Sequence, residues 1–294
     1  MQFRKITLIG VGLLGGSIGL AARTSRLGRE VAGFARRRLT IAECEMVGAT
    51  DFTTTDLLAA VSNADVVILC TPLAQMRALT KQFLPALKRG AIVTDVGSVK
   101  GSVVRELESL VAKAGAHFVG SHPMAGGEKT GVLAAKADLF KNAICVLTPT
   151  RKSNAAAVRK LEGFWKSLGS RIVKMPPEEH DLFVSRTSHL PHVAASALAN
   201  FVLGPTNPKG QSQLCAGGFR DTTRIASSSP EMWRDIALAN RKNLVKALTA
   251  FASDLKKFRK VLKREDAKAV LEFFETAKSR RDGWCVNGPS TQSE

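Results

Sequence analysis

The sequence predicts an α/β fold: a doubly wound, mostly parallel sheet over residues 1–150, an all-helical segment over 151–284, and a flexible tail over 285–294. Three observations predict it. Short β-branched runs alternate with helix-periodic stretches through the first half. The alternation stops near residue 150 and gives way to helical patterns. A glycine-rich turn stands directly behind the first strand-like run.

Taken in order, "ITLIGV" (6–11), "EVAGFA" (30–35), "ADVVILC" (64–70), "AIVTDV" (91–96), "AHFVG" (116–120) and "AICVLTP" (143–149) read as buried strands. Parallel strands covered on both faces need such continuous apolar runs. "SIGLAARTSR" and "SVVRELESLVAKAG" carry helical periodicity between them. Ser153 is the expected N-cap of "AAAVRKLEGFWKSLG", and "RIVKM" (171–175) is one last short strand. From Pro177 onward helices are expected over 177–203, 230–262 and 265–281, with "LGPTNPKGQSQLCAGGF" as a loop between the first two. Pro230 suits the first turn of the second helix, behind the serines at 227–229. Long helices of this kind commonly pair with another subunit.

Composition narrows the class. Hydrophobic content of 45% and charged content of 23% describe an ordinary globular chain. The five cysteines are odd in number, far apart and never in a CxxC pair, which predicts a reducing, cytoplasmic setting without a disulfide framework or zinc knuckle. The opening "MQFRKITLIGVGLLGGSIGLAA" has the outline of a secretory signal, but its glycines are spaced as a phosphate turn and its loss would delete the first strand. No stretch has the length to span a membrane. The net charge of +18 predicts attraction of anions. The most basic stretches, "KKFRKVLKR" (256–264) and "KSRR" (278–281), lack interleaved aromatics and any nucleic-acid motif, so small acidic molecules are the expected partners.

"GVGLLGG" (10–16) places Gly10, Gly12 and Gly15 in G-x-G-x-x-G spacing between a strand and a helix. That is the setting of a dinucleotide turn in a Rossmann domain: a tight bend, a close backbone approach to pyrophosphate, and a helix N-terminus facing the phosphate charge. Leu13 and Leu14 of the turn, with Thr71 and Pro72 behind a later strand, complete the expected cofactor contacts. An Asp or Glu should end the second strand if a ribose 2′-hydroxyl is bound. Ala35 stands there instead, followed by Arg36, Arg37 and Arg38. A guanidinium pairs with a 2′-phosphate where a carboxylate would repel it, so NADP is expected over NAD, with Arg36 and Arg37 as the clamps.

Four further motifs follow: "TDVGSVKG" (94–101), "GSHPMAGGEKTG" (120–131), "SHLPH" (188–192) and "FRDTTRIASSSPEMWRDI" (219–236). With the glycine turn, and in this order from about residue 5 to 281, they resemble the prephenate/arogenate dehydrogenase family of tyrosine biosynthesis. The resemblance implies an N-terminal Rossmann domain, a C-terminal helical domain that makes a homodimer, and oxidation of a 4-hydroxycyclohexadiene with loss of carbon dioxide. The length leads us to expect no fused mutase and no sizeable regulatory domain. That chemistry needs a hydrogen-bond acceptor on the 4-hydroxyl, and a neutral imidazole serves near pH 7. His122, expected on a glycine-rich loop at the C-terminal edge of the sheet, takes this role by resemblance, with Ser98 bonding the same hydroxyl or the imidazole and holding its tautomer.

Arg224 matches the substrate-binding arginine and suits the ring carboxylate. His192 is expected to contact the side chain or gate the pocket, His180 to reach the cleft, and His189 to be structural. Glu128 matches an acidic gate in part of the family, although Gly127 stands where many relatives have threonine. Asp221 would pair with the amino group that distinguishes arogenate, or cap the following turn; Trp233 is assigned to the core. His189 and His192 lie three apart on one helix face, but a third metal ligand at suitable spacing is missing, so no metal is expected. Two alternatives stand beside this reading. One is a neighbouring 3-hydroxyacid or imine dehydrogenase, which uses a lysine and for which Lys100 is the nearest candidate. The other is a silent NADP-binding sensor.

Overall fold

The computed structural model describes residues 2–127, 129–206 and 210–287, in two compact units of residues 1–243 and 244–294. The first unit opens with β1 (Phe3–Ile9), α1 (Leu13–Thr24), β2 (Gly28–Phe34), α2 (Arg38–Val47), β3 (Phe52–Thr54), α3 (Leu57–Val61), β4 (Val66–Leu69), α4 (Leu73–Phe83), β5 (Ile92–Asp95), α5 (Gly101–Lys113) and β6 (His117–Phe118). The six strands form one parallel sheet in the order β3-β2-β1-β4-β5-β6. This is the Rossmann order, and its switch point lies between β1 and β4, where such sheets bind ligands. Ile6, Leu8, Ile9, Val66, Val67, Ile68 and Leu69 are buried, as parallel strands covered on both sides require. β3 carries no apolar run to announce it: "FTT" is a three-residue edge strand with Phe52 exposed.

The predicted strand at 116–120 is two strands. β6 ends at Phe118, the chain leaves the sheet at Val119, and β7 (Gly120–Pro123) joins a second sheet with β8 (Ile144–Thr148) and β9 (Arg171–Lys174). β7 and β8 run antiparallel and β8 and β9 parallel. β9, which lies beyond the boundary expected at residue 150, still pairs with β8. α6 (Ala155–Ser167) lies between them, capped by Asn154, whose Oδ1 accepts from the Ala156 and Ala157 amides, both at 3.0 Å. The expected cap, Ser153, accepts instead from the Thr150 amide.

Beyond Lys174 all described elements are helical: α7 (Pro177–Val184), α8 (Leu190–Leu203), α9 (Gly217–Thr223), α10 (Pro230–Ala239), α11 (Arg241–Lys263) and α12 (Ala267–Asn287). The helix expected over 177–203 is interrupted by a π-helical turn, Ser185–His189, just before Pro191, which has no amide to donate. The helix expected over 230–262 breaks at Asn240. In the second unit Phe258 stacks on Phe273, with centroids 4.3 Å apart, and meets Phe274 edge-on. α12 runs through Asn287, into the predicted tail, whose remainder lies outside the described residues.

Candidate active site

The glycine turn sits at the switch point. Gly10 has φ +94°, which a side chain would strain, and a Cβ on Gly15 would lie 2.2 Å from the Gly10 carbonyl oxygen. A Cβ on Gly12 would meet nothing within 4 Å, so open space lies over the N-terminus of α1, which no side chain caps. A cavity of about 630 Å³ follows, lined by Gly10, Gly12, Thr71 and Pro72, by Arg36 and Arg37, and by Thr40 and Glu43 of α2. The Thr71 hydroxyl is buried there without a partner. Open space over helix amides, an orphaned hydroxyl and two arginines beyond β2 fit a dinucleotide. Thr40 and Glu43 did not stand out in the sequence, since each is one ordinary helix residue until α2 turns it inward.

A second cavity, about 490 Å³, shares Gly12, Thr71, Pro72 and Thr130 with the first and adds Leu13, Leu14, Ser98 and Met232. A third, about 380 Å³, shares Gly126, Gly127, Ser228 and Met232 with the second and is lined by His122, Ser188, His192, Arg224 and Trp233. The three form one path from Arg36 to His122.

His122 lies within β7, opposite Val146, rather than on the loop beyond it. Its neighbour Ser121 is pinned the other way: Ser121 Oγ donates to the Asp95 carbonyl at 2.6 Å and Lys100 Nζ donates to the Ser121 carbonyl at 2.7 Å. Alternation along the strand then turns His122 toward the cavity. Its Nδ1 lies 2.8 Å from His180 Nε2, and His180 Nδ1 lies 2.9 Å from Asp181 Oδ1. Asp181 also accepts from the Lys100 amide at 2.7 Å and the Gly101 amide at 2.8 Å, so its carboxylate closes the N-terminus of α5. A carboxylate only accepts, so His180 carries its proton on Nδ1 and accepts through Nε2. His122 must therefore donate from Nδ1, which leaves Nε2 as its acceptor.

These contacts revise several assignments. His180, 1% exposed, stands behind His122 instead of lining the cavity, and it rather than Ser98 engages the imidazole. Ser98 lines the adjoining cavity. Asp221 is exposed on α9 and lines none of the three cavities. Glu128 lies outside the described residues. Trp233 is a cavity wall rather than core, stacked on His192 with centroids 3.7 Å apart. His192 Nδ1 donates to the Ser188 carbonyl at 3.0 Å, leaving its Nε2 as acceptor. Lys100 is fully buried against Asp95, away from the cavities. Among the described residues no three His, Cys, Asp or Glu side chains gather as a metal site. Asp181 was missed; its only trace in the sequence is the adjacency His180-Asp181.

Burial holds four histidines below their ordinary value. It dominates at His122, helped by His180, Lys100 and His189; at His180, against the Asp181 hydrogen bond; at His189, down to about 4; and at His192. The unfolded chain takes up these protons from about pH 6.5 downward and the folded chain only later, so acid favours unfolding. The melting temperature should accordingly fall as pH drops from 7 toward 4. Calorimetry across that range checks it, and a flat or rising trend would refute the neutral cluster.

A nucleotide turn at the switch point, leading to an imidazole acceptor beside an arginine, defines a nicotinamide-linked dehydrogenase. The family model "Prephenate dehydrogenase, nucleotide-binding domain" matches residues 18–174, and "Prephenate dehydrogenase, dimerization domain" matches 176–276. The chain belongs to the prephenate dehydrogenase family, and it is an oxidoreductase of that family. It is 38% identical to the prephenate dehydrogenase of Bacillus subtilis over 95% of this chain and 75% of that one. It is 36% identical to the cyclohexadienyl dehydrogenase of Zymomonas mobilis over 95% of each. Among solved structures, prephenate dehydrogenase from Aquifex aeolicus in complex with hydroxyphenyl propionate and NAD+ superposes with a TM-score of 0.89 at 33% identity, covering 95% of this chain and 98% of that one.

Proposed function

We propose that the chain oxidatively decarboxylates prephenate, arogenate or both, preferring NADP, as a cytoplasmic homodimer. One observation carries the reading: His122, with Nε2 as its acceptor, shares a cavity of about 380 Å³ with Arg224. Both substrates carry a ring hydroxyl at one end and a ring carboxylate at the other. His122 Nε2 takes the hydroxyl proton as the C–H electron pair leaves ring carbon 4. His180 and Asp181 stabilise the resulting imidazolium from behind. Arg224 orients the carboxylate, whose bond to ring carbon 1 breaks; those electrons complete the aromatic ring and reach the ring oxygen, which takes the proton back from His122 as a phenol. Its grip serves binding more than rate, since a tightly held ground state would slow the loss of carbon dioxide. Ser98, where the cofactor and substrate cavities meet, hydrogen-bonds the same hydroxyl. When bound, the nicotinamide supplies the hydride acceptor. The dimerization-domain match supports the homodimer, and five free cysteines support the cytoplasmic location.

The test is absorbance of reduced cofactor in a four-way assay, prephenate or arogenate with NADP or NAD. Turnover in one or more combinations is expected, fastest with NADP. No turnover from folded protein that binds NADP would overturn the reading. Arg36→Ala with Arg37→Ala should raise the NADP KM roughly 100-fold, as loss of charge-assisted bonds to phosphate implies, and the NAD KM far less. Equal losses would remove the 2′-phosphate assignment.

A further inference from the structure

Behind the pocket the polar interior ends in a side chain that the proposed chemistry does not use. Asn240 stands at the break between α10 and α11 and is 4% exposed. Its Nδ2 donates to the Asp181 main-chain carbonyl at 2.7 Å and lies 3.2 Å from His189 Nδ1. Its Oδ1 accepts from Asn243 Nδ2 at 2.9 Å. A carbonyl can only accept, so the amide orientation is fixed, and its two protons match two acceptors. His189 is fully enclosed and, accepting at Nδ1, keeps its proton on Nε2, which has no well-aligned partner.

One amide therefore touches both halves of the site. Asp181 orients His180 and through it His122. His189 backs the Ser98 main chain and meets the edge of Trp233, with centroids 5.9 Å apart. Asn240 also ends α10, the helix that brings Met232 and Trp233 to the cavity.

We propose that Asn240 is a positioning residue: by donating at once to the Asp181 carbonyl and to His189 Nδ1, it fixes the His189 tautomer and holds α10 and the Ser98 loop in register with the His122–His180–Asp181 chain. The titratable groups facing His189 are Asp181 and His180 from α7, His192 from α8 and His122 from β7, and burial outweighs them, holding the ring neutral down to about 4. The kinetic part rests on the dehydrogenase reading above; the geometric part does not.

Asn240→Asp keeps the shape and replaces a double donor by an acceptor. The introduced carboxylate would pull a proton onto His189 Nδ1 and repel the Asp181 carbonyl. Long-range nitrogen–proton NMR should show His189 titrating from about 4 in the natural protein to near or above 6.5 in this variant. Its kcat should fall roughly 100-fold, the scale of a small misplacement of reacting groups, with NADP affinity kept. Asn240→Ala, which removes the donor but leaves His189 buried, should lose kcat similarly with His189 still titrating low and its neutral proton no longer confined to Nε2; a merely structural role would leave that tautomer unchanged. Unchanged kcat in Asn240→Asp, or an unmoved His189, overturns the proposal. If neither variant folds, the unmodified enzyme decides: His189 protonated on Nδ1 when neutral refutes it, and protonated on Nε2 supports it. An enzyme inactive on both substrates that still shows the Nε2 tautomer would overturn the functional reading and leave this one standing.

Discussion

His122→Asn should lower kcat by about 10²–10⁴-fold, the usual contribution of a positioned general base, with NADP affinity unchanged. The side chain is 7% exposed and meets the protein through Nδ1, so its other nitrogen is what the cavity receives. An Asn amide can still hydrogen-bond but cannot take up a proton near pH 7. The acid limb of kcat/KM should lie below pH 6.5, because burial first, then His180, Lys100 and His189, hold the imidazole neutral. Protonation at lower pH removes the acceptor, so activity falls with acid rather than with base. Stopped-flow absorbance separates the chemical step from binding. Near-normal turnover in the variant would remove His122 from the mechanism.

Asp181→Asn should be nearly as damaging, although Asp181 lines none of the three cavities. The carboxylate accepts three hydrogen bonds, from the Lys100 and Gly101 amides and from His180. An Asn has one acceptor oxygen for these donors, so its NH₂ must face an N–H. Either the α5 terminus loses its cap or His180 loses its orienting partner. In the second case His180 reverses its proton, His122 follows, and Nε2 meets the substrate as a donor. The comparable change in a serine-protease triad costs about 10⁴ in kcat through the wrong tautomer; here 10²–10⁴ is the expected scale. Stability should drop by about 1–3 kcal/mol, the cost of an unsatisfied buried donor. Denaturant melts and steady-state kinetics read the two effects separately. A variant with native kcat would break the chain of tautomers drawn from these distances.

The sheet was legible where chemistry and pattern coincide. "ITLIGVG" carries both an apolar strand and its glycine turn, and β1 ends where Gly10 needs its left-handed bend. "FTT" was not legible, because a three-residue edge strand with an exposed Phe52 leaves no periodic signal. His122 was found through its motif, but its strand was not: Gly120 reads as a terminator, while pairing with β8 comes from residues more than twenty positions away. Asn240 was hidden inside a continuous helical pattern. A single polar residue on a helix looks solvated until tertiary contacts place it on Asp181 and His189. Local pattern thus indicated which residues line the cavities better than which residues stand behind them.

The cavity at Arg36 and Arg37 and the cavity at His122 have no described wall residue in common; they meet through the one between. Substitutions at sites that share no partner act independently to a good approximation. On the proposed reading, the choice of nucleotide could therefore be changed in the few residues after β2 without retuning recognition of the ring. Evolution, or an engineer matching the enzyme to a cell's supply of reduced nucleotides, could change the one trait and inherit the other intact.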